Sequence, residues 1–267
     1  MSVISQTMPQ RAPGTLIINK TGWAHTLDAG LGARLRIGLI ELATDQTSEH
    51  EFRRLLLLPG VDFYVSRIWN DATITPESLA EMATDIASCA RVILPGLRLD
   101  VMGFTCTSGA MVIGEDKVFS LMRAVRPALP CTSPITAAMA GITALGLKRI
   151  ALLTPYVQSI NEMMRSHIEA RGVAVPVMGS FNNSNDDEVA RISLESTRAA
   201  AIDLGKSQHV DGIFVSCTSI RTIDIICGVE EAIGKPMIAS NPAQAWHLLR
   251  LGNLKDKLTQ WGRLFSI

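Results

Sequence analysis

The sequence predicts an α/β fold of two similar lobes, each a mainly parallel sheet flanked by helices, related by a pseudo-twofold with a cleft between them. Short runs of Val, Ile, Leu and Phe alternate with longer helical patterns, which is the signature of strands joined by crossover helices. The apolar runs are continuous instead of alternating, as strands covered on both faces require. The two halves also repeat one another. Arg36-Ile37-Gly38-Leu39-Ile40 resembles Arg149-Ile150-Ala151-Leu152-Leu153 at an offset of 113 residues, and the segment from Leu99 to Ser108 resembles that from Val210 to Ser219 at 111. Two matches at nearly one offset point to duplication, here of a whole lobe instead of a short stacked unit.

The composition can fill such a fold. Of 267 residues, 47% are hydrophobic and 19% charged, which excludes a disordered chain. Lys plus Arg number 25 and Asp plus Glu 25, so the net charge is zero; with no basic block, a surface built for nucleic acid or anionic lipid is not expected. A small-molecule ligand is the better starting point.

Residues 1–34 read as an irregular lead-in without the apolar core of a signal peptide. The first lobe is expected over 35–134, with strands at 36–42, 62–68 and 101–105. A helix opens at Thr75-Pro76-Glu77, where Thr caps, Pro suits the first turn and the acid suits the dipole; Leu79, Met82, Ala83, Ile86 and Ala87 form its apolar stripe. The uncharged stretch from Pro127 to Leu147 carries three prolines and reads as a loop followed by a buried helix, not a membrane span. The second lobe is expected over 135–240, with strands at 149–154, 173–177, 212–216 and 236–240, and a C-terminal helical segment over 241–267 completes the fold.

In each lobe Cys-Thr-Ser follows a strand and precedes a helical stretch, at Cys106-Thr107-Ser108 and Cys217-Thr218-Ser219. Open α/β sheets bind ligands beyond the carboxyl ends of their strands. Both thiols therefore belong at the cleft, where free N–H groups and the hydroxyls of Thr107, Ser108, Thr218 and Ser219 can hold a carboxylate. The same donors are expected to lower the thiol pKa from about 8.5 toward about 7. Five cysteines, an odd number at irregular spacing, read as reduced cytosolic thiols. Cys89, Cys131 and Cys227 read as packing residues, whereas Cys106 and Cys217 share flanking residues and repeat position. Two thiols facing one substrate suggest a racemase that removes a proton from one face and returns one to the other, or an isomerase that adds one thiolate to an activated double bond.

At these residues the chain resembles the aspartate/glutamate racemase superfamily, in the branch of maleate cis-trans isomerase and arylmalonate decarboxylase. The resemblance spans roughly Arg36 to Leu251, and GFTCTSG and FVSCTSIRTID are its most specific parts. It implies that Cys106 and Cys217 are the catalytic thiols and that no cofactor is needed. Because the decarboxylases keep only the second-half cysteine, both thiols together imply an isomerase or racemase. LLTPY puts Tyr156 where maleate isomerases have a substrate-contacting tyrosine, and SNPAQAWHLLR resembles the family's C-terminal helix. After the first strand those isomerases read Pro-Ser-Ser-Asn-Thr, with an Asn that meets a substrate carboxylate; here the segment is Leu42-Ala43-Thr44-Asp45-Gln46. Asp186 replaces a second Asn. An Asp at these places suits an ammonium group better than a carboxylate, and the Ala-Thr-Asp-Gln-Thr segment is most similar to ectoine-utilisation members. The resemblance also implies a homo-oligomer.

The remaining candidates divide. Arg221 can hold a second carboxylate or tie the helix start to the fold, Tyr156 can be rim or core, and Asp45 taken alone is a helix cap or loop acid. The five histidines have no pair at metal-ligand spacing, so a zinc hydrolase is not expected. Gly30-Leu31-Gly32 precedes a strand instead of following one, which rules out a dinucleotide loop. Lys117 by itself does not suggest a pyridoxal site. The expected partner is a small carboxylate substrate, with a cytoplasmic location and neither nucleic acid nor membrane. A decarboxylase and a non-enzymatic acid-binding protein are the alternatives.

Overall fold

The structure, a computed structural model, describes residues 20–267. Residues 1–19, the first part of the expected lead-in, lie outside the described residues; residues 20–30 carry no helix or strand, and residues 31–267 form the body of the protein. The first sheet holds β1 (Leu35–Leu42), β2 (Val61–Ile68), β3 (Val101–Thr105) and β4 (Cys131–Thr132), all parallel in the order β2-β1-β3-β4. The second holds β5 (Arg149–Thr154), β6 (Ala174–Ser180), β7 (Gly212–Val215) and β8 (Met237–Ala239), parallel in the matching order β6-β5-β7-β8. The duplicated sequence segments are thus the two central strands of each lobe.

Among the described residues, eleven helices surround the sheets: α1 (Ser48–Leu55), α2 (Pro76–Glu81), α3 (Ile86–Val92), α4 (Thr107–Ile113), α5 (Glu115–Arg123), α6 (Pro134–Ala144), α7 (Gln158–Glu169), α8 (Asp186–Ala190), α9 (Leu194–Gly205), α10 (Ile226–Ile233) and α11 (Ser240–Leu251). Helices α3 and α5 pack on one face of the first sheet, as α9 and α10 do on the second. On the other face the lobes exchange elements. Helix α6, which leaves β4, packs against β8 and α11, while α11, which leaves β8, reaches back to β3, β4 and α1. Gly103 on β3 makes that approach possible, because a Cβ there would lie 2.6 Å from the Gln244 side-chain nitrogen of α11.

Two elements differ from the sequence expectation. The helix capped by Thr75 forms, with a capping box to Ser78 and Pro76 at its first position, but it is broken into α2, a 3₁₀ turn over Met82–Thr84, and α3. Thr84 Oγ1 bonds back to the Glu81 carbonyl at 2.9 Å, a local competitor of the helical ladder. Leu79, Met82 and Ile86 stay buried through the break. Strand β4 was not anticipated; two residues between Pro130 and Pro134 carry no periodicity, and only their pairing to Met102 and Gly103 makes them a strand. The stretch after it is the expected buried helix α6, and no helix among the described residues is long and apolar enough to cross a membrane.

One buried acid stands apart. Glu41 on β1 is 0% exposed, neither carboxylate oxygen has a hydrogen-bond partner among the described residues, and Arg67 lies 3.9 Å away. Burial, reinforced by Asp45 and Glu49, pushes its pKa up to about 8 against the opposing Arg67 and Arg53. A carboxyl raised in the folded state contributes stability that is complete below its unfolded pKa and is lost as pH rises through about 8. Glu41→Gln is therefore expected to stabilise the protein by about 1–3 kcal/mol at pH 8.5 and by far less at pH 5. Urea unfolding at the two pH values measures this, and an equal effect at both would refute it.

Candidate active site

Both Cys-Thr-Ser turns leave central strands at their carboxyl ends, and both open on one cavity between the lobes. Cys106, Thr107 and Ser108 line it from the first lobe, and Tyr156, Asp186, Cys217, Thr218 and Ser219 from the second. Eight of the ten residues singled out from the sequence thus meet in one place. Asp45 and Arg221 do not line it.

The turns are built differently. Cys106 is itself the N-cap of α4, with extended backbone, and its Sγ accepts the Gly109 N–H at 3.3 Å while Ser108 Oγ lies 3.9 Å away. Ser, Thr, Asp or Asn usually takes this place, so the thiol stands where a helix offers its free donors. A Cβ on Gly109 would come 2.9 Å from that sulfur and 2.6 Å from Met82 Cε, so the approach requires glycine. Cys217 has φ of +123°, rare for a residue with a side chain and worth on the order of 1–3 kcal/mol of strain. No helix follows it directly: a turn and a loop lead to α10 at Ile226, contrary to the sequence expectation of equivalent helix starts. The Ser219 N–H and the Tyr156 hydroxyl lie on the side of its sulfur and favour the thiolate, against the effect of burial. Ser240, at the start of α11, joins the two turns, since its Oγ accepts the Cys217 N–H at 3.0 Å and lies 2.9 Å from Thr107 Oγ1.

The expectation of lowered thiol pKa values is not met. Burial pushes both Cys106 and Cys217 up to about 12. The Gly109 N–H and Ser108 hydroxyl at Cys106, and the Ser219 N–H and Tyr156 hydroxyl at Cys217, offset only part of the desolvation, and the charge of Asp186 raises both further. Both thiols are therefore protonated at rest. Tyr156, 2% exposed, is pushed well above its ordinary pKa by the same burial and stays a neutral donor. Its turn is fixed by Asn161, whose amide donates to the Tyr156 carbonyl at 2.7 Å.

Asp186 is the buried acid of the cavity, Asp71 lying at its exposed side. Asp186 is 2% exposed, and its carboxylate accepts the Ser219 hydroxyl at 2.7 Å and the Thr44 hydroxyl. No ion pair among the described residues involves it, and no Lys, Arg or His lines the cavity. Asp45 faces inward instead: Oδ1 accepts the Thr47 and Ser48 N–H groups at 2.8 and 2.7 Å, and Oδ2 the Ser48 hydroxyl at 2.6 Å. It braces the turn that enters α1, whose N-cap is Thr47, and so acts as the loop acid among its sequence readings. Arg221 likewise ties the chain together, donating from Nη2 to the Ile192 carbonyl at 2.8 Å.

Sequence reasoning missed the roof. Asn70, Asp71, Ile74, Ser78 and Leu79 line the cavity from the segment after β2, which carries no motif. The segment pairs with the second lobe, through Ile74 N–H to the Ser184 carbonyl at 2.9 Å, Asp186 N–H to the Ala72 carbonyl at 3.0 Å, and a bridge between Thr73 and Asn185. The only sequence signal was the Asn-Asp pair before the Thr75 cap, a common loop composition.

The sequence of residues 55–265 matches the family model described as arylmalonate decarboxylase. The chain belongs to the arylmalonate decarboxylase family. Within this family it is 30% identical to the arylmalonate decarboxylase of Bordetella bronchiseptica over 79% of this chain and 88% of that one. It is 28% identical to a maleate isomerase of Nocardia farcinica over 86% of this chain and 94% of that one. The fold is similar to the crystal structure of the maleate isomerase Iso from Pseudomonas putida S16, with a TM-score of 0.80 at 27% identity, covering 87% of this chain and 98% of that chain. A cysteine-to-serine mutant of the Nocardia farcinica enzyme, described with a covalently bound succinylcysteine intermediate, is equally similar at a TM-score of 0.80, 27% identity and coverage of 87% and 98%. Family members thus include both decarboxylases and isomerases of small acids, and the two-lobe arrangement is common to them.

Proposed function

We propose that the chain is a cofactor-independent isomerase of a small carboxylic acid that carries an amino group, and in the first place a racemase. The observation that carries this reading is the pair of thiols, one from each lobe, on one enclosed cavity with hydroxyl and N–H donors beside each. One thiol, which releases its proton to solvent as substrate enters, takes the proton from the carbon next to the carboxylate, and the other, still protonated, returns its proton to that carbon. Their protonation states exchange, and the configuration inverts. Since no cation among the described residues lines the cavity, the carboxylate is held by the Thr107, Ser108 and Thr218 hydroxyls and by N–H groups of the turns, while the Ser219 hydroxyl is committed to Asp186.

Asp186 supports the amino group. A buried carboxylate without a cationic partner is costly, and an ammonium group on the substrate supplies that partner. It would also offset the charge with which Asp186 raises both thiols, so that binding itself moves a thiol toward deprotonation. The Ala43-Thr44-Asp45-Gln46-Thr47 segment supports a place near the ectoine-utilisation members. The cytoplasmic location and the homo-oligomer rest on composition and family resemblance alone.

The matched family model and the 30% identical relative favour a second reading, a decarboxylase in which Cys217 alone delivers a proton. A screen of amino acids, N-acyl diamino acids, hydantoins, maleate and arylmalonates in deuterated buffer separates the two. Racemisation gives deuterium at the carbon next to the carboxylate without loss of carbon dioxide. Carbon dioxide release from a malonate establishes the lyase, and no turnover of any of them would sink both.

A further inference from the structure

The turn that carries Cys217 leaves several backbone groups outside any helix or strand, because α10 begins only at Ile226. Buried backbone donors and acceptors require partners, and here the other lobe supplies them. Thr47, Glu51 and Arg54, at spacings of four and three, stand on successive turns of one face of α1 and its cap. Thr47 Oγ1 donates to the Ser219 carbonyl at 2.8 Å. Glu51 Oε1 accepts the N–H groups of Thr222 and Ile223 at 2.6 and 3.0 Å. Arg54 pairs with both oxygens of Asp224 at 3.0 and 2.6 Å. The contacts advance along the loop in the order in which the helix advances. Glu51 Oε2 also accepts the Asn241 amide at 2.9 Å, and the same amide nitrogen donates to the Thr218 carbonyl at 2.8 Å. Cys106 needs nothing comparable, since its own helix holds it.

We infer that Glu51, from the first lobe, is the positioning residue of the second lobe's thiol, holding residues 218–223 so that Cys217 keeps its left-handed backbone. Glu51 does not line the cavity and touches no reacting atom, and its position rests on four donors and on burial at 1% exposure. Free of these bonds, the turn relaxes to ordinary backbone angles and the Cys217 sulfur shifts from its place on the cavity wall. The importance of that sulfur rests on the proposed reaction; the placement of the turn does not.

The test is site-resolved iodoacetamide labelling and amide hydrogen exchange of the full chain, read by peptide mass spectrometry. In Glu51→Gln, Cys217 is expected to be alkylated at least fivefold faster and the amides of 217–223 to exchange at least tenfold faster, with Cys106 labelling within twofold of wild type. Arg54→Gln, at a partly exposed position that does not threaten folding, is expected to raise exchange in the same peptide two- to threefold. With any substrate from the deuterium screen, Glu51→Gln lowers kcat at least tenfold while KM stays within threefold. Equal changes at both cysteines, or an unmoved 217–223 peptide in both variants, overturn the assignment. Retained turnover in Cys217→Ala instead overturns the reaction and leaves the assignment intact.

Discussion

Cys217→Ala is expected to abolish turnover, with a loss of at least about 10³-fold in exchange at the carbon next to the carboxylate. Cys106→Ala is expected to match it, because inversion needs one group to take a proton and another to give one. A thiol held near 12 gives up its proton reluctantly and its thiolate is correspondingly basic, so losing either sulfur removes a strong base that the weakly basic Asp186 carboxylate does not match. Tyr156 is buried and neutral, and the Thr and Ser hydroxyls are weaker bases still. The measurement is proton exchange by NMR for each enantiomer with each variant. A Cys106→Ala protein that keeps the full wild-type rate with release of carbon dioxide would make the enzyme a single-thiol decarboxylase.

Asp186→Asn is expected to reverse the charge preference of the cavity. For an amino-bearing substrate kcat/KM falls about 10²–10³-fold, the loss typical of truncating one partner of a buried charge pair, and a dicarboxylate such as maleate gains. The substitution keeps an oxygen for the Ser219 or Thr44 hydroxyl, so the cavity wall persists. It also removes a charge that raises both thiols, so Cys106 and Cys217 are alkylated faster together at pH 8, unlike the one-sided response expected of Glu51→Gln. An unchanged preference between the two substrate types would show that Asp186 does not read the amino group.

The fold was legible because strands covered on both faces write themselves as continuous apolar runs, and because the lobe is written twice. The strand at 101–105 agrees with β3 at both ends, and the strand at 149–154 with β5. Strand β4 was not legible, since two residues carry no period, and neither was the break after α2, where the apolar stripe runs on through the 3₁₀ turn. The site was legible where residue type, spacing and repetition agreed, at Cys106 and Cys217. Asp45 and Asp186 read as a similar pair, yet one braces the turn before α1 and the other faces the cavity, a difference of direction that a sequence does not carry. The thiol pKa values were misjudged for a related reason: donors are visible as residue types, but desolvation depends on how tightly the lobes close.

The exchanged helices set the unit of folding. Without α11 the first sheet would lose the cover over Gly103, and without α6 the second would lose packing at β8. Neither half closes its core with its own helices alone, so the two lobes form a single cooperative unit of folding.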